Sequence, residues 1–551
     1  MPAIQKTCRI TNQPFEISEQ EQRLLKTFNA EQLPDTHPDE RMRYFLTFNN
    51  YHSLTSVTCD LCQQRTLSIW GEHPEFPVYC RDCWYSDKWA PAEMDIDFER
   101  PVFDQLAELV KKSPHRALSV INPMNNSDFC NAVGNLKNCY MCFDWGFGEN
   151  CYYCQSGQKN KDCVDVVMCD DAEILYSANS CHKSYKVFWS EYASNCRDSY
   201  FLYDCVNASD CAFSTGLRHK QYVFMNEQLT REQYEAKIAE LDTGSYAKLQ
   251  EYLATFAQLK QAYPKRYLIG TNNENVSGNI IFNSKDVERG YSVREGENCV
   301  NVSSMWSLKD SLDVASFGVN TERVYNSSEI GFDAQNVQHS ANSYDKIFNL
   351  EYCIFISSSN DCFASAFARK RKFAIFNKQY SPEEYREKVA QLKEKMRERG
   401  ELGQLFRHDM VPFAYNESIA QFFMPLTRAE AERRGFRWAE RKIPQVPTEK
   451  VLRAPDHIRD VKWEDVEGKF VVCAQSGRPF RIIRQEFDFY KKYNLPLPRV
   501  HPEVRLQELY PSRLMFQLRA ATCAQCGKAL QTSMLAEDKV LCETCYQSTK
   551  A

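Results

Sequence analysis

Between Ser127 and Cys211 the chain falls into a register of twelve residues, and that register constrains the fold more than any other feature of the sequence. Cys130, Cys142 and Cys154 form one column, Cys139, Cys151 and Cys163 a second, and Cys169 and Cys181 continue the step. Asn126, Asn138 and Asn150 run beside them, with Asp162 next in line. Further on, the cysteine step widens to fifteen, through Cys181, Cys196 and Cys211. Short repeats of Asn, Asp, Ser, Cys and Tyr without helical periodicity fit a parallel β-solenoid, whose coils stack at ~4.8 Å so that like residues form ladders. Asparagine suits the corners, where it tolerates left-handed backbone. A rival reading takes NCYMCFDWGFGENCYYC (Asn138–Cys154) as two CxxC pairs around a third zinc ion. The ladder continues to Cys163, beyond any tetrad, and buried free cysteine serves well as a small hydrophobe.

The stretch from Gly278 to Phe367 repeats the theme with fewer cysteines and a step near twelve to thirteen. Both stretches end alike: Tyr222–Tyr234 parallels Phe373–Tyr385 at an offset of 151. Thr230 with Gln233, and Ser381 with Glu384, are capping boxes that each start a charged helix, towards Leu259 and Arg399. These helices are expected to cap solenoid ends that would otherwise present open strand edges.

The two ends of the chain are also copies of each other. CRITNQPFEI (Cys8–Ile17) matches CAQSGRPFRI (Cys473–Ile482), and His37-Pro38 matches His501-Pro502. Cys59 and Cys62 then match Cys523 and Cys526, and Cys80 and Cys83 match Cys542 and Cys545. Each copy thus carries two Cys-x₂-Cys knuckles joined by a hairpin-length spacer, the spacing that completes a tetrahedral site at ~2.3 Å Zn–S. Four thiolates leave no open position, so two structural Zn²⁺ ions are expected and not hydrolytic ones. The preceding Cys8-x-x-Thr11 and Cys473-x-x-Ser476 resemble knuckles that lost a cysteine. Cys8 with His37, and Cys473 with His501, are second-rank ligand pairs, against a relic hairpin packed by Phe15 or Phe480.

The expected fold is therefore mixed but mainly β: a parallel β-solenoid in two tandem halves, each followed by helices, between two duplicated zinc-ribbon or treble-clef-like modules. The expected divisions are a zinc module at 1–95, solenoid half at 116–226, helical segment at 227–268, second half at 269–377, helical segment at 378–411, basic helix and linker at 412–455, and second zinc module at 456–551.

The 24 cysteines of this 551-residue chain suit metal sites or buried thiols in a reducing compartment better than disulfides. Met1–Ile10 lacks the basic start and apolar stretch of a signal peptide, and no run approaches the ~20 apolar residues of a membrane span. The expectation is a cytoplasmic protein with no membrane partner. A net charge of −5 argues against a general polyanion binder. Arg433, Arg434, Arg437 and Arg441, with Phe436 and Trp438, form the densest basic patch and the candidate nucleic-acid contact. A solvated helix face is the plainer meaning. RKRK at 369–372 is the second basic cluster.

YCRDCWYSDKW (Tyr79–Trp89), NLKNCY (Asn135–Tyr140), FNKQYSPEEY (Phe376–Tyr385) and FDFYKKYNLPLPR (Phe487–Arg499), with the cysteine tetrads, resemble a bacterial family seen mostly in candidate-phyla genomes. Its members look like zinc-ribbon modules flanking Cys/Asn-rich repeats. Relatives carry CxxC and CPxC in the C-terminal copy, where this chain has Cys473-x-x-Ser476 and His501-Pro-Glu-Val504. The resemblance implies no activity; a CoA-transferase label attached to some members finds neither its fold pattern nor a nucleophilic carboxylate here.

The sequence favours a non-catalytic scaffold whose zinc ribbons and solenoid faces bind a macromolecule, a protein first. A nucleic-acid binder is the alternative. A solenoid enzyme using Asp162, Asp165, Asp170, Asp171 and Glu173 is a further one, against the plainer account of acidic corners; no general-base pairing or phosphate loop supports it.

Overall fold

The computed structural model describes residues 2–72, 74–121, 124–158, 164–170, 173–316, 318–330, 334–343, 346–510 and 514–549, without the side chains of 145, 147, 156–158 and 166–170. The protein is mainly β, with two long sheets whose strands pair in parallel, one within 131–228 and one within 270–379.

In the first sheet every parallel step is twelve residues: Asn131 pairs with Phe143, Glu173 with Tyr185, Tyr185 with Arg197, and Ser209 with Gln221. The cysteine step of fifteen is therefore not a looser coil. It is one twelve-residue step plus three, and the reason is a finer repeat. Left-handed φ recurs at every third residue, as at Asn135, Asn138, Met141 and Asp144, or Asn195, Asp198, Phe201 and Asp204. The residue after each is buried: Leu136, Cys139 and Cys142, or Cys196, Ser199, Leu202 and Cys205. A cysteine fits any of these triplet positions, so its spacing varies in threes while the pairing stays at twelve.

Why cysteine and serine fill so many of them follows from the hydrogen bonds. The inward hydroxyl or thiol donates to the carbonyl two residues back, as Ser199 to Arg197 at 2.7 Å and Cys139 to Lys137 at 3.3 Å. The same atom accepts the backbone N–H one step of twelve ahead: Ser199 Oγ from Cys211 at 3.1 Å, Ser190 Oγ from Leu202 at 2.9 Å, and Cys130 Sγ from Cys142 at 3.4 Å. A small side chain that both donates and accepts satisfies backbone groups that a valine would leave orphaned.

Left-handed backbone costs an L-residue roughly 1–2 kcal/mol, and side-chain columns offset it. Asn126 donates to Asn138 at 3.0 Å and Asn138 to Asn150 at 3.2 Å. Elsewhere the column is aromatic: Trp189 stacks on Phe201 at 4.9 Å, and Phe201 on Phe213 at 4.4 Å. Cys163, Asp162 and the side chain of Cys169 lie outside the described residues.

The second sheet steps by eleven to thirteen: Glu274 to Lys285, Met305 to Gly318, Glu322 to Gln335, then Phe348 to Asn360. Both sheets end in an antiparallel hairpin, at 223–228 and 374–379, then a helix opened by the expected capping box. Tyr222 meets Tyr234 at 6.0 Å and Phe373 meets Tyr385 at 5.8 Å, the same contact in both copies.

The helix after the first sheet does not run on to Leu259. It ends at Ala239, and a separate helix spans Tyr246–Ala262. That second helix has a counterpart in Val102–Lys112, and each leads into a short strand, Lys265–Arg266 or His115–Arg116. Each lead helix packs on the other copy's sheet: Phe103 lies 5.7 Å from Tyr352, and Phe256 lies 5.7 Å from Phe201.

The terminal modules complete this reciprocal arrangement. Val78–Tyr79 pairs with His115–Arg116, and Val540–Leu541 with Lys265–Arg266. Arg41 reaches across to Asp313 of the second sheet at 2.9 Å while holding Glu21 at 2.6 Å. Its copy Arg505 reaches Asp165 of the first sheet at 2.7 Å, with Glu486 4.0 Å away.

Candidate metal centres

Four hairpins in the two modules share one knuckle. In each, the cysteine N–H reaches a carbonyl five residues on: Cys8 to Gln13, Cys59 to Gln64, Cys473 to Arg478 and Cys523 to Lys528, at 2.8, 2.8, 3.0 and 2.8 Å. The fourth residue after each cysteine turns left-handed, as Asn12, Gln63, Gly477 and Gly527. A helix follows, capped by His37, Cys80, His501 or Cys542. So each module is itself two related units, in keeping with Cys8-x-x-Thr11 and Cys473-x-x-Ser476 as knuckles that lost a cysteine.

Two of the four units have full ligand sets. The sulfurs of Cys59, Cys62, Cys80 and Cys83 lie within 4.8 Å of one another, as do those of Cys523, Cys526, Cys542 and Cys545. Cys62 Sγ is 3.8 Å from Cys80 Sγ, and Cys526 Sγ is 3.7 Å from Cys542 Sγ. A tetrahedron with ~2.3 Å arms has edges of about 3.8 Å, so the spacing is that of a closed Zn–S₄ site. The clusters resemble zinc ribbons and could each hold a metal ion.

Backbone dipoles favour the thiolate at the first cysteine of each tetrad, while burial and the neighbouring thiols raise Cys80 and Cys83, and the Cys542 thiol and burial raise Cys545. Burial raises the Cys59 thiol, yet the N–H groups of Cys62, Cys80 and Leu61 outweigh it and bring the pKa to about 7. The Cys542 N–H, with those of Cys526 and Gln525, brings Cys523 to about 6. The Cys80 and Cys542 N–H groups both lie 3.3 Å from the first sulfur of their tetrad.

In the other two units a histidine stands where Cys80 or Cys542 would. The His501 N–H still points at Cys473 Sγ, at 3.2 Å. But His37 Nδ1 accepts from the Asp39 N–H and His501 Nδ1 from the Glu503 N–H, so each ring nitrogen caps a helix. Phe15 lies 6.1 Å from the His37 ring and Phe480 5.8 Å from the His501 ring. Neither Cys8 with His37 nor Cys473 with His501 belongs to a group of three ligand atoms among the described residues. Nor do Cys139, Cys142, Cys151 and Cys154 form a group of three or more ligand atoms among the described residues.

The basic helix is corrected. It spans only Arg428–Arg433, because Gly435 turns left-handed at φ 86°, so Arg437 and Arg441 lie beyond it. Arg434 pairs with buried Glu40 at 3.0 Å, and Arg437 donates to the Val411 and Pro412 carbonyls at 2.6 and 2.9 Å. Arg441 donates to the Asn416 carbonyl at 2.6 Å, and Phe436 is buried. In the second basic cluster, Arg371 pairs with Glu93 at 3.1 Å and Arg369 lies over Trp89. Arg434, Arg441 (through Ser53), Arg369 and Arg371 tie the 412–441 and 369–372 segments to the N-terminal module, while Arg437 holds its own segment to the adjoining 411–412 backbone. Of the acidic residues weighed for catalysis, Asp165 is buried under Arg505, Glu173 is exposed, and the side chains of Asp162, Asp170 and Asp171 lie outside the described residues.

No protein-family model and no curated protein matches the chain. Among the described residues no helix is long and apolar enough to cross a membrane.

Proposed function

We propose that this protein is a non-catalytic scaffold: two β-solenoid halves, held in reciprocal contact by zinc-stiffened modules, that present a binding surface to a macromolecular partner. The closed tetrads carry the reading. Edges of 3.7 and 3.8 Å between sulfurs leave room for one tetrahedral ion and no position for substrate or water. The triplet of left-handed corners and the twelve-residue pairing support the solenoid, four three-residue sides closing one coil. The same arrangement is what the resemblance to the zinc-ribbon family leads one to expect.

Zinc would fix each ribbon against the strand that opens a sheet, so the metal sets the relation between modules and sheets instead of doing chemistry. Elemental analysis with native mass spectrometry tests this: about two zinc ions per chain are expected, released together with ordering of the ribbons by a chelator. Reduced, freshly purified protein without zinc would overturn it.

A further inference from the structure

Between the two parallel sheets and the C-terminal module runs a cleft of about 940 Å³. Its first wall carries the column His182, Ser194, Val206 and Arg218, successive partners at twelve-residue steps. Its second wall carries Phe282, Arg294, Trp306 and Val319. The Arg294 guanidinium lies 5.4 Å from the Phe282 ring and 5.6 Å from the Trp306 ring, so the three form one continuous stack. Trp306 ends it with 43% of its surface exposed, a large cost in water-contacting apolar area for a residue type usually buried. Glycines smooth the first wall: Gly134 pairs with Gly146, and a Cβ on Gly146 would meet nothing within 4 Å. Among the described residues this wall is lined from Ser119 to Gly146 and again from Ser180 to His219, about two and three steps of twelve, or roughly 11 and 16 Å at ~4.8 Å per step.

From this geometry we infer that the seam cleft is a binding site for a linear, uncharged oligosaccharide, an inference that rests on the scaffold reading and names its ligand. Length and openness suit a chain molecule. Charge disfavours a polyanion: of the four lining cations, Arg218 is held by Asp204 at 2.8 Å and Arg266 by Glu543 at 2.6 Å, Lys265 and Arg294 lie over the Tyr203 and Phe282 rings, and Asp144, Asp204 and Glu329 line the same walls. Nucleic-acid binding needs a surplus of cations that this seam does not offer. An extended peptide would bind by adding to an open strand edge. Here the walls are sheet faces whose backbone groups pair along the stack. What remains is an aromatic platform on one wall with lining hydroxyls on both, Ser304 on its own wall and Ser194 and Tyr192 on the other. Flat C–H faces of sugar rings pack on such rings, and their hydroxyls match such side chains.

The test titrates the full-length, zinc-loaded protein with cellohexaose, chitohexaose and maltohexaose by calorimetry, beside a twenty-residue oligothymidylate. At least one hexasaccharide should bind. Trp306→Ala should weaken it about tenfold, the scale of a lost stacking contact, and Gly146→Tyr should abolish it by filling the cleft from the first wall. Both variants should keep two zinc ions and the wild-type circular dichroism. No binding by any hexasaccharide, binding indifferent to both substitutions, or binding of the oligothymidylate alone would overturn the assignment. Shortening of a bound hexasaccharide would keep the cleft and overturn the non-catalytic reading instead.

Discussion

Replacing Arg505 with Met removes the one cation between two buried carboxylates and keeps most of the side chain's bulk. Asp165 and Glu486 are 3% and 0% exposed at their side chains, and Glu486 also accepts from Tyr153 and Tyr490 at 2.6 and 2.5 Å. Breaking a buried pair by deleting one partner costs about 3–5 kcal/mol, because the other charge stays buried. The cost should depend on pH. Burial raises Asp165 to about 6 and Glu486 to about 7, and in both Arg505 pulls the other way. Both folded values lie above the unfolded ones, so the native state binds more protons and this locus loses stability as pH rises from about 4 to 7. Without Arg505 the carboxyls rise further and are neutral at pH 6, whereas at pH 8 burial must oppose any charge they hold. The variant should therefore be far weaker at pH 8 than at pH 6. A single midpoint is ill-defined for a chain of this size, so the assay is local: native-state hydrogen exchange of helix Arg484–Lys492, corrected for intrinsic rates. A loss of about 3–5 kcal/mol corresponds to opening roughly 150- to 5,000-fold more often. Equal acceleration at both pH values would mean that packing, not charge, was lost. No acceleration would mean that Arg505 does not hold the module to the sheet.

Cys523→Ser should remove one zinc ion of two and expose residues 516–549 to protease, leaving the β-sheet circular dichroism intact; loss of both ions or of neither would refute independent sites. Ser199→Ala should cost about 1–3 kcal/mol, because the Cys211 N–H loses its buried acceptor, whereas Ser199→Cys keeps donor and acceptor and should cost much less; amide exchange at Cys211 compares them. Arg434→Glu should lower thermal stability by placing a second carboxylate against Glu40, and wild-type protein should retain neither single- nor double-stranded DNA on filters at low salt. Salt-sensitive retention would restore the basic segment as a nucleic-acid contact.

Much of the fold was legible because its signals are local or periodic. The capping boxes at Thr230 and Ser381 need four residues each, and both are present. The asparagine column could be read because each member needs only the next coil. The register of twelve was legible, but the cysteine step of fifteen misled. Cysteine marks an inward position without saying which triplet of the twelve-residue step it occupies, and only φ at every third residue resolves that. A search for small or apolar residues at every third position would have found the triplet. The basic helix failed for a local reason visible in the sequence, Gly435, and for one that was not, Glu40, nearly four hundred residues away.

The sequence by itself determined the ligand sets, because metal chemistry needs only the residue types and the knuckle spacing, and it determined the two duplications. It also determined the twelve-residue pairing step of the first sheet, since parallel pairing brings like residues into like places. Only the tertiary structure decided that each lead helix lies on the other copy's sheet and that Arg41 and Arg505 cross to opposite sheets. It alone decided that Arg434 and Arg437 are staples and that Trp306 faces a cleft. Such pairings depend on which surfaces meet after each unit has formed, and two copies of one unit offer nearly identical surfaces. The choice between a copy's own sheet and its twin's is made by linker reach and a few buried charges, neither of which leaves a periodic trace in the chain.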